Sequence, residues 1–192
     1  MRSSTLVATA FAALAGYLLG SVPVAVLVGR RHDVDPRAVG DRNPGWWNVR
    51  DQLGTRRAVP VLVGDAAKGA LAAAVGLAVA PGGAWGVGYV AVAAAMVGHA
   101  WPVFAGFRGG RSILTFAGGM CVLAPAPALV AVGVFALLVL LGRTAVGARL
   151  GVFGFPLLQL VLESPNRVAA TGALMCIIGG RFALAARSTG RA

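Results

Sequence analysis

Ala58-Val-Pro60-Val-Leu-Val-Gly-Asp65-Ala-Ala-Lys68-Gly69-Ala-Leu-Ala-Ala-Ala-Val-Gly-Leu-Ala-Val-Ala80 is an apolar run broken by a single acid and a single base. As a helix rising about 1.5 Å per residue it extends roughly 35 Å, enough to cross the ~30 Å hydrocarbon core of a bilayer. The alternation of a barrel strand is absent, and an open strand would leave its backbone polar groups unpaired in hydrocarbon. The run therefore reads as a spanning helix. Asp65 and Lys68 stand three residues apart on one face, where they can pair directly. A charged pair in a span is costly and faces a protein interior or a wet cavity, a rule that both a functional site and a purely structural ion pair satisfy.

Six further apolar runs, at 6–28, 85–104, 113–124, 126–141, 146–162 and 168–186, follow the same pattern. With 58% hydrophobic and 12% charged residues, the chain departs from the composition of soluble domains. The fold class expected is all-α: a polytopic membrane helix bundle of about seven helices, forming one embedded domain over residues 1–192. The run 113–124 is too short to cross alone. It reads as a half-helix packed inside the bundle and broken from the next run by Pro125 and Pro127. The long polar stretch, 30–57, reads as a cytoplasmic loop.

Arginine positions set the expected orientation. Seven lie between Arg30 and Arg57, and others follow at Arg108, Arg111, Arg143, Arg149, Arg181, Arg187 and Arg191. Placing them in the cytoplasm gives a multi-pass protein with its N-terminus outside and Arg2, Arg167 and the Pro81-Gly-Gly-Ala turn on the far side. The first run is longer than a signal peptide's apolar core and has its basic flank after it, so it reads as a retained helix. A basic face toward anionic lipid headgroups accounts for the net charge of +11. Membrane lipids are thus the expected partner, and nucleic acid is not. Cys121 and Cys176 read as buried small hydrophobes, and Gly16-xxx-Gly20, Gly82-xxx-Gly86 and Gly147-xxx-Gly151 as close helix seams.

Two glycine-rich loops carry the chemistry. The first, Gly40-Asp41-Arg42-Asn43-Pro-Gly45-Trp46-Trp47-Asn48-Val-Arg50, combines tight turns with amide and guanidinium donors. The second, from Gly98-His99 to Arg108-Gly109-Gly110-Arg111, joins a histidine at a helix end to a glycine pair flanked by arginines. Glycine lets backbone amides approach an anion and arginine matches phosphate or carboxylate, so together they suggest a polyanion site at a membrane face. An ordinary basic loop is the plainer reading. His99 fits either a base or donor near phosphate or a hydrogen-bonded helix end. Trp46 and Trp47 fit either headgroup-level anchors or a wall narrowing the site. No cluster of His, Cys or carboxylates has metal-ligand spacing and no Gly-x-Ser-x-Gly elbow is present, so neither a metal nor a serine nucleophile is expected.

Gly20-Ser21-Val-Pro23, Gly40-x-x-Asn43-x-Gly45-x-x-Asn48-Val-Arg50, Asp65-x-x-Lys68-Gly69 and Gly98-His99-x-x-Pro102-x-Phe104-x-x-Phe107-Arg108-Gly109-Gly110 occur in this order. Together they resemble the bacterial acyl-phosphate:glycerol-3-phosphate acyltransferases, the PlsY family. The resemblance implies a seven-helix inner-membrane enzyme that moves an acyl group from acyl phosphate to the 1-hydroxyl of glycerol 3-phosphate, yielding lysophosphatidic acid and phosphate without a cofactor. It also implies that Arg50, Lys68 and His99 do the catalytic work, with Gly40, Asn43, Gly45, Asn48, Arg108, Gly109, Gly110 and Arg111 around the phosphates.

The sequence departs from that pattern inside the two loops. Asp41, Arg42 and Trp46-Trp47 stand where the family has a serine, a glycine and Ala-Thr, and Arg111-Ser112 stands for Lys-Gly. A carboxylate at Asp41 beside a phosphate about 4 Å away would repel it by roughly 4 kcal/mol at an effective dielectric near 20, before compensation. The family's serine-rich segment is reduced to Thr144-Ala-Val-Gly147, and its C-terminal His-Arg-x-Asn-Ile is not recognisable around Gly180-Arg181. Two alternatives to the enzyme are a noncatalytic relative that binds lipid or a partner, and a small transporter. The sequence sets no oligomeric state.

Overall fold

The computed structural model describes residues 2–189, which excludes Arg191, and among the described residues every regular element is helical. The first apolar run forms α1 (Arg2–Gly20) and α2 (Val24–Arg30), and the polar stretch after it contains α3 (Trp46–Leu53). There follow α4 (Thr55–Ala78), α5 (Trp85–Ala100), α6 (Ile113–Leu123) and α7 (Pro125–Leu140). The chain closes with α8 (Thr144–Phe153), α9 (Phe155–Leu162) and α10 (Pro165–Thr189). Each of the seven apolar runs is thus a helical unit, with α1–α2 and α8–α9 as broken pairs.

Four units, Ser3–Arg30, Thr55–Ala78, Trp85–Ala105 and Pro165–Arg187, are long and apolar enough to cross a membrane, and α8–α9, bent by 45°, adds a fifth. The half-helix expected from the short fourth run is α6. The fifth run also falls short, because α7 has only 16 residues. The breaks have local causes. Pro23 cannot donate a backbone hydrogen bond and stands at the start of α2, Pro125 opens α7, and a proline in the first turn of α9 follows Gly154.

Small residues decide how closely the bundle packs. A Cβ at Gly16 or Gly20 of α1 would run into the carbonyl oxygens of Ala91 and Ala95 on α5. A Cβ at Gly69 of α4 would run into Thr115 O of α6, and one at Gly118 would run into Ala66 O in return. Of the expected seams, Gly16-xxx-Gly20 is therefore a true close approach, whereas Gly82, Gly86 and Gly151 face open space and Gly147 alone of its pair meets α7. The two cysteines are a second correction. Cys121 and Cys176 are exposed on helix surfaces rather than buried. The apolar exterior suits lipid, with Leu140 85% and Val161 83% exposed.

Beneath that surface a core containing Met96, Phe116, Met120, Phe155, Leu174 and Ile178 joins α5, α6, α9 and α10. Toward the start of α5 it gives way to a polar cluster. Gln159 donates to Tyr89 Oη (3.2 Å) and Glu163 (2.8 Å), Thr171 lies 3.4 Å from Tyr89, and Arg167 reaches Glu163 (3.3 Å) and Leu123 O (2.9 Å). This cluster fastens the bent α8–α9 unit at the end of the bundle away from His99, and hydropathy gave no sign of it.

Because the α1–α5 seam has no room for a methyl group, Gly20→Ala is expected to destabilise the protein by about 1–3 kcal/mol. Gly86→Ala, on the open side of α5, is expected to be neutral or stabilising by up to about 1 kcal/mol. Thermal unfolding of both variants in detergent checks this, and equal midpoints would refute the seam.

Candidate active site

The floor of the site is the ion pair on α4. Lys68 Nζ lies 2.8 Å from Asp65 Oδ1, and the side chains are only 6% and 2% exposed. Lys68 also donates to Val22 O at 3.2 Å, a carbonyl at the break between α1 and α2. The break thus gives a buried ammonium a second partner. His99, 7% exposed at the end of α5, brings Nδ1 to 3.6 Å from the same Asp65 oxygen. Its other nitrogen faces the second glycine loop, since a Cβ at Gly110 would collide with His99 Nε2.

Above this floor is a narrow cleft, partly open to solvent. It is lined by Asp65, Lys68, His99, Arg108, Gly109 and Gly110, together with residues of the α1–α2 break and Pro44. Lys68 and Arg108 bring positive charge, and the carboxylate in the lining, Asp65, is paired with Lys68. The arrangement suits an anion held beside a histidine.

The first loop is organised from within. Asn48, buried at the start of α3, donates through its amide to Pro36 O (2.7 Å), Val39 O (3.0 Å) and Asn43 O (3.2 Å). Gly40 has φ +59° and no room for a Cβ against Asn48 Oδ1. Asp41 Oδ1 accepts from the Asn43 amide at 3.1 Å, a side-chain turn that leads the chain to Pro44 at the cleft wall. Arg37 braces the loop, donating to Asp35 at 2.9 Å and to Ala105 O at 3.4 Å. That hydrogen bond holds the Asp35 carboxyl at about 2, below its ordinary 3.8. Asp35 thus contributes stability above its unfolded value, and the contribution is lost as pH falls through about 2.

The second loop is tied from a distance. Arg181 of α10 donates to Gly109 O (2.9 Å) and Gly110 O (3.0 Å) while its guanidinium lies 5.0 Å from the Trp101 ring centre. The Gly110 amide donates to His99 O at 3.1 Å, and Tyr17 of α1 donates to Trp101 O at 3.0 Å. Ser112 occupies the left-handed region at φ +63° and donates its hydroxyl to Met96 O at 2.7 Å. Arg42, also at a position where the family pattern has glycine, has φ +57°.

Of the residues singled out from sequence, Asp65, Lys68, His99, Arg108, Gly109 and Gly110 meet in the cleft, while Gly40, Asn43, Gly45 and Asn48 shape the loop beside it. Arg50 and Arg111 do not line it. Arg50 pairs with Asp51 at 2.7 Å and stacks over Trp46 and Trp47, 5.1 and 4.4 Å from the ring centres. Arg111 pairs with Asp41 at 3.0 Å, so two residues that depart from the family pattern are each other's partners. Arg181 and the Val22 carbonyl were not foreseen. A lone arginine in an apolar run was a signal for the first, and Pro23 was one for the second. Among the described residues no three of His, Cys, Asp or Glu gather to hold a metal ion.

The chain matches the family model described as Glycerol-3-phosphate acyltransferase over residues 10–186. A relative of that name from Synechococcus sp. (strain JA-3-3Ab) is 38% identical over 177 residues, 91% of this chain and 84% of its own. One from Rubrobacter xylanophilus is 49% identical over 125 residues, 65% of this chain and 60% of its own length. For one from Dehalococcoides mccartyi the figures are 40% over 155 residues, 77% of this chain and 63% of its own. The chain therefore spans about three-fifths of the length of the last two. The crystal structure of PlsY, an integral membrane glycerol 3-phosphate acyltransferase in its glycerol 3-phosphate form, resembles it with a TM-score of 0.80 and 28% identity, covering 95% of this chain and 93% of that one. In the lysophosphatidic acid form the TM-score is 0.77 and the identity 27%, with the same coverage. With sequence, bundle and motif order in agreement, the chain belongs to the glycerol-3-phosphate acyltransferase family, the integral membrane PlsY proteins.

Proposed function

We propose that residues 1–192 form one membrane-embedded domain that transfers an acyl group from acyl phosphate to the 1-hydroxyl of glycerol 3-phosphate, giving lysophosphatidic acid and inorganic phosphate for phospholipid synthesis. The observation that carries this reading is the meeting of the Lys68 ammonium, His99 and the Arg108-Gly109-Gly110 loop in one cleft. Both substrates are anionic, and fixed positive groups in a site partly shielded from water hold them and oppose the charge developing on the acyl oxygen. The hydroxyl oxygen attacks the acyl carbonyl carbon, the bond from that carbon to the phosphate oxygen breaks, and the hydroxyl proton passes to the departing phosphate. The mixed anhydride already carries its leaving group, so the scheme needs neither a cofactor nor a protein base. His99 orients the hydroxyl or donates to a phosphate.

The cleft faces the cytoplasm of a bacterial inner membrane and the N-terminus lies outside. Supporting this orientation, the loop of residues 30–57, with its seven arginines, lies at the cleft end of the bundle. A second reading, a noncatalytic relative that binds lipid or a protein partner, draws support from Arg50 stacked on two tryptophans and Arg111 engaged by Asp41. Incubating the purified protein with palmitoyl phosphate and labelled glycerol 3-phosphate separates the two. Labelled lipid with stoichiometric phosphate is expected, and a folded protein yielding neither product would favour the noncatalytic reading.

Removing Lys68 alone would strand a buried carboxylate, so the informative variant removes both charges, Asp65→Asn with Lys68→Met. It is expected to remain folded while kcat/KM falls about 100-fold or more. Activity near wild type would take Lys68 out of the chemistry. Arg181→Ala releases two glycine carbonyls, and at about 1.5–3 kcal/mol per charge-assisted bond it is expected to cost at least tenfold in kcat/KM. Arg181→Lys should recover part of that loss, and steady-state kinetics of the pair checks whether the clamp matters.

A further inference from the structure

Asp41 and Arg111 join the two glycine loops at the edge of the cleft. Arg111 Nη1 lies 3.0 Å from Asp41 Oδ2, and the guanidinium packs over Phe182 with its carbon 4.7 Å from the ring centre. The Nε of Arg111 is buried without a hydrogen-bond partner. The backbone on either side is pinned: Gly110 O accepts from Arg181, and Ser112 donates to Met96 O. On the other loop, the Asn43 amide holds Asp41 Oδ1 at 3.1 Å, which aims Oδ2 at Arg111. Both members of the pair keep water contact, with side chains 46% and 26% exposed, so another anion can exchange with the carboxylate at small cost. Arg111 directly follows the cleft-lining residues Arg108, Gly109 and Gly110.

We propose that Asp41 is a built-in competitor for Arg111, its carboxylate occupying the guanidinium until a substrate phosphate takes its place, so that Asp41 sets the affinity for the phosphorylated acceptor. The inference rests on the reading of this cleft as a phosphate site. Asp41 acts through Arg111 and is a positioning residue. A phosphate monoester carries up to two negative charges and three acceptor oxygens against the single charge of the carboxylate, so it competes with Asp41 for the exposed edge of the Arg111 guanidinium. Displacing Asp41 also loosens the link between the loops at the corner leading to Pro44.

The test is Asp41→Asn, which removes the charge yet keeps an oxygen to accept the Asn43 amide. Titration calorimetry in detergent with glycerol 3-phosphate and with inorganic phosphate is expected to show both binding about three- to fivefold more tightly, with an unchanged thermal midpoint. In turnover the acceptor KM should fall by the same factor while kcat stays within about twofold. Arg111→Ala should weaken binding, and adding Asp41→Asn to it should change nothing further. Unchanged or weaker binding in Asp41→Asn, tightening that persists without Arg111, or no binding of either anion to any variant overturns the proposal. Tighter anion binding in Asp41→Asn, with no acyl transfer by any variant, keeps the competitor and overturns the acyltransferase reading instead.

Discussion

The structure depends on a lysine and an aspartate paired out of reach of water. Taking two such charges out of water costs several kcal/mol per ion, and only close geometry and further hydrogen bonds repay it. Here the repayment comes from three parts of the chain. Asp65 supplies the counter-charge at 2.8 Å, the break after α1 supplies the Val22 carbonyl, and His99 on α5 stands on the other side of the carboxylate. For these to meet, α1, α4, α5 and α6 must approach more closely than larger side chains permit, which is the work of Gly16, Gly20, Gly69 and Gly118. The glycines of the helices and the charge of the site are parts of one arrangement.

Arginine plays a different part from lysine here. Lys68 is a compact charge at the floor of the cleft, whereas Arg37, Arg111 and Arg181 act as cross-braces. Each offers a planar fork to oxygens of another segment or of its own loop, and two of them also lie over aromatic rings. The loops have little regular structure, so their carbonyls need such partners when they lie at the protein's edge. A basic loop is thereby given a shape, and the cleft keeps its form between the pieces. The arginine count alone suggested a dense anion cradle, but Arg37, Arg50, Arg111 and Arg181 already have partners within the protein.

The polar cluster of Gln159, Tyr89, Thr171, Glu163 and Arg167 lies at the other end of α5 and has no link to the cleft chemistry. Its effect is mechanical. A helix pair bent by 45° loses backbone continuity, and side-chain hydrogen bonds to α5 and α10 hold it in the bundle instead. The two ends of the molecule thus use buried polarity differently, one to keep a charge available and one to fix a bend.

The helices, the break at Pro125 and the Asp65–Lys68 pair were legible in the sequence because each depends on neighbours within a few positions. Hydropathy decides whether a run suits lipid, proline removes a donor wherever it stands, and residues three apart share a helical face. The order of the four glycine, asparagine and charge motifs was equally local, and with it the family. What only the tertiary structure decided was which partner each long side chain takes. Arg50 lies on Trp46 and Trp47 instead of in the cleft, Asp41 is paired with Arg111 across seventy positions, and Arg181 reaches two glycine carbonyls from the last helix. Cys121 and Cys176 face outward although they stand among apolar neighbours, since in lipid an apolar residue suits either side of a helix. The direction a residue faces, and the carbonyl or carboxylate it meets, follow from how closely the glycine seams let helices approach, a property of pairs of segments that no single stretch of sequence contains.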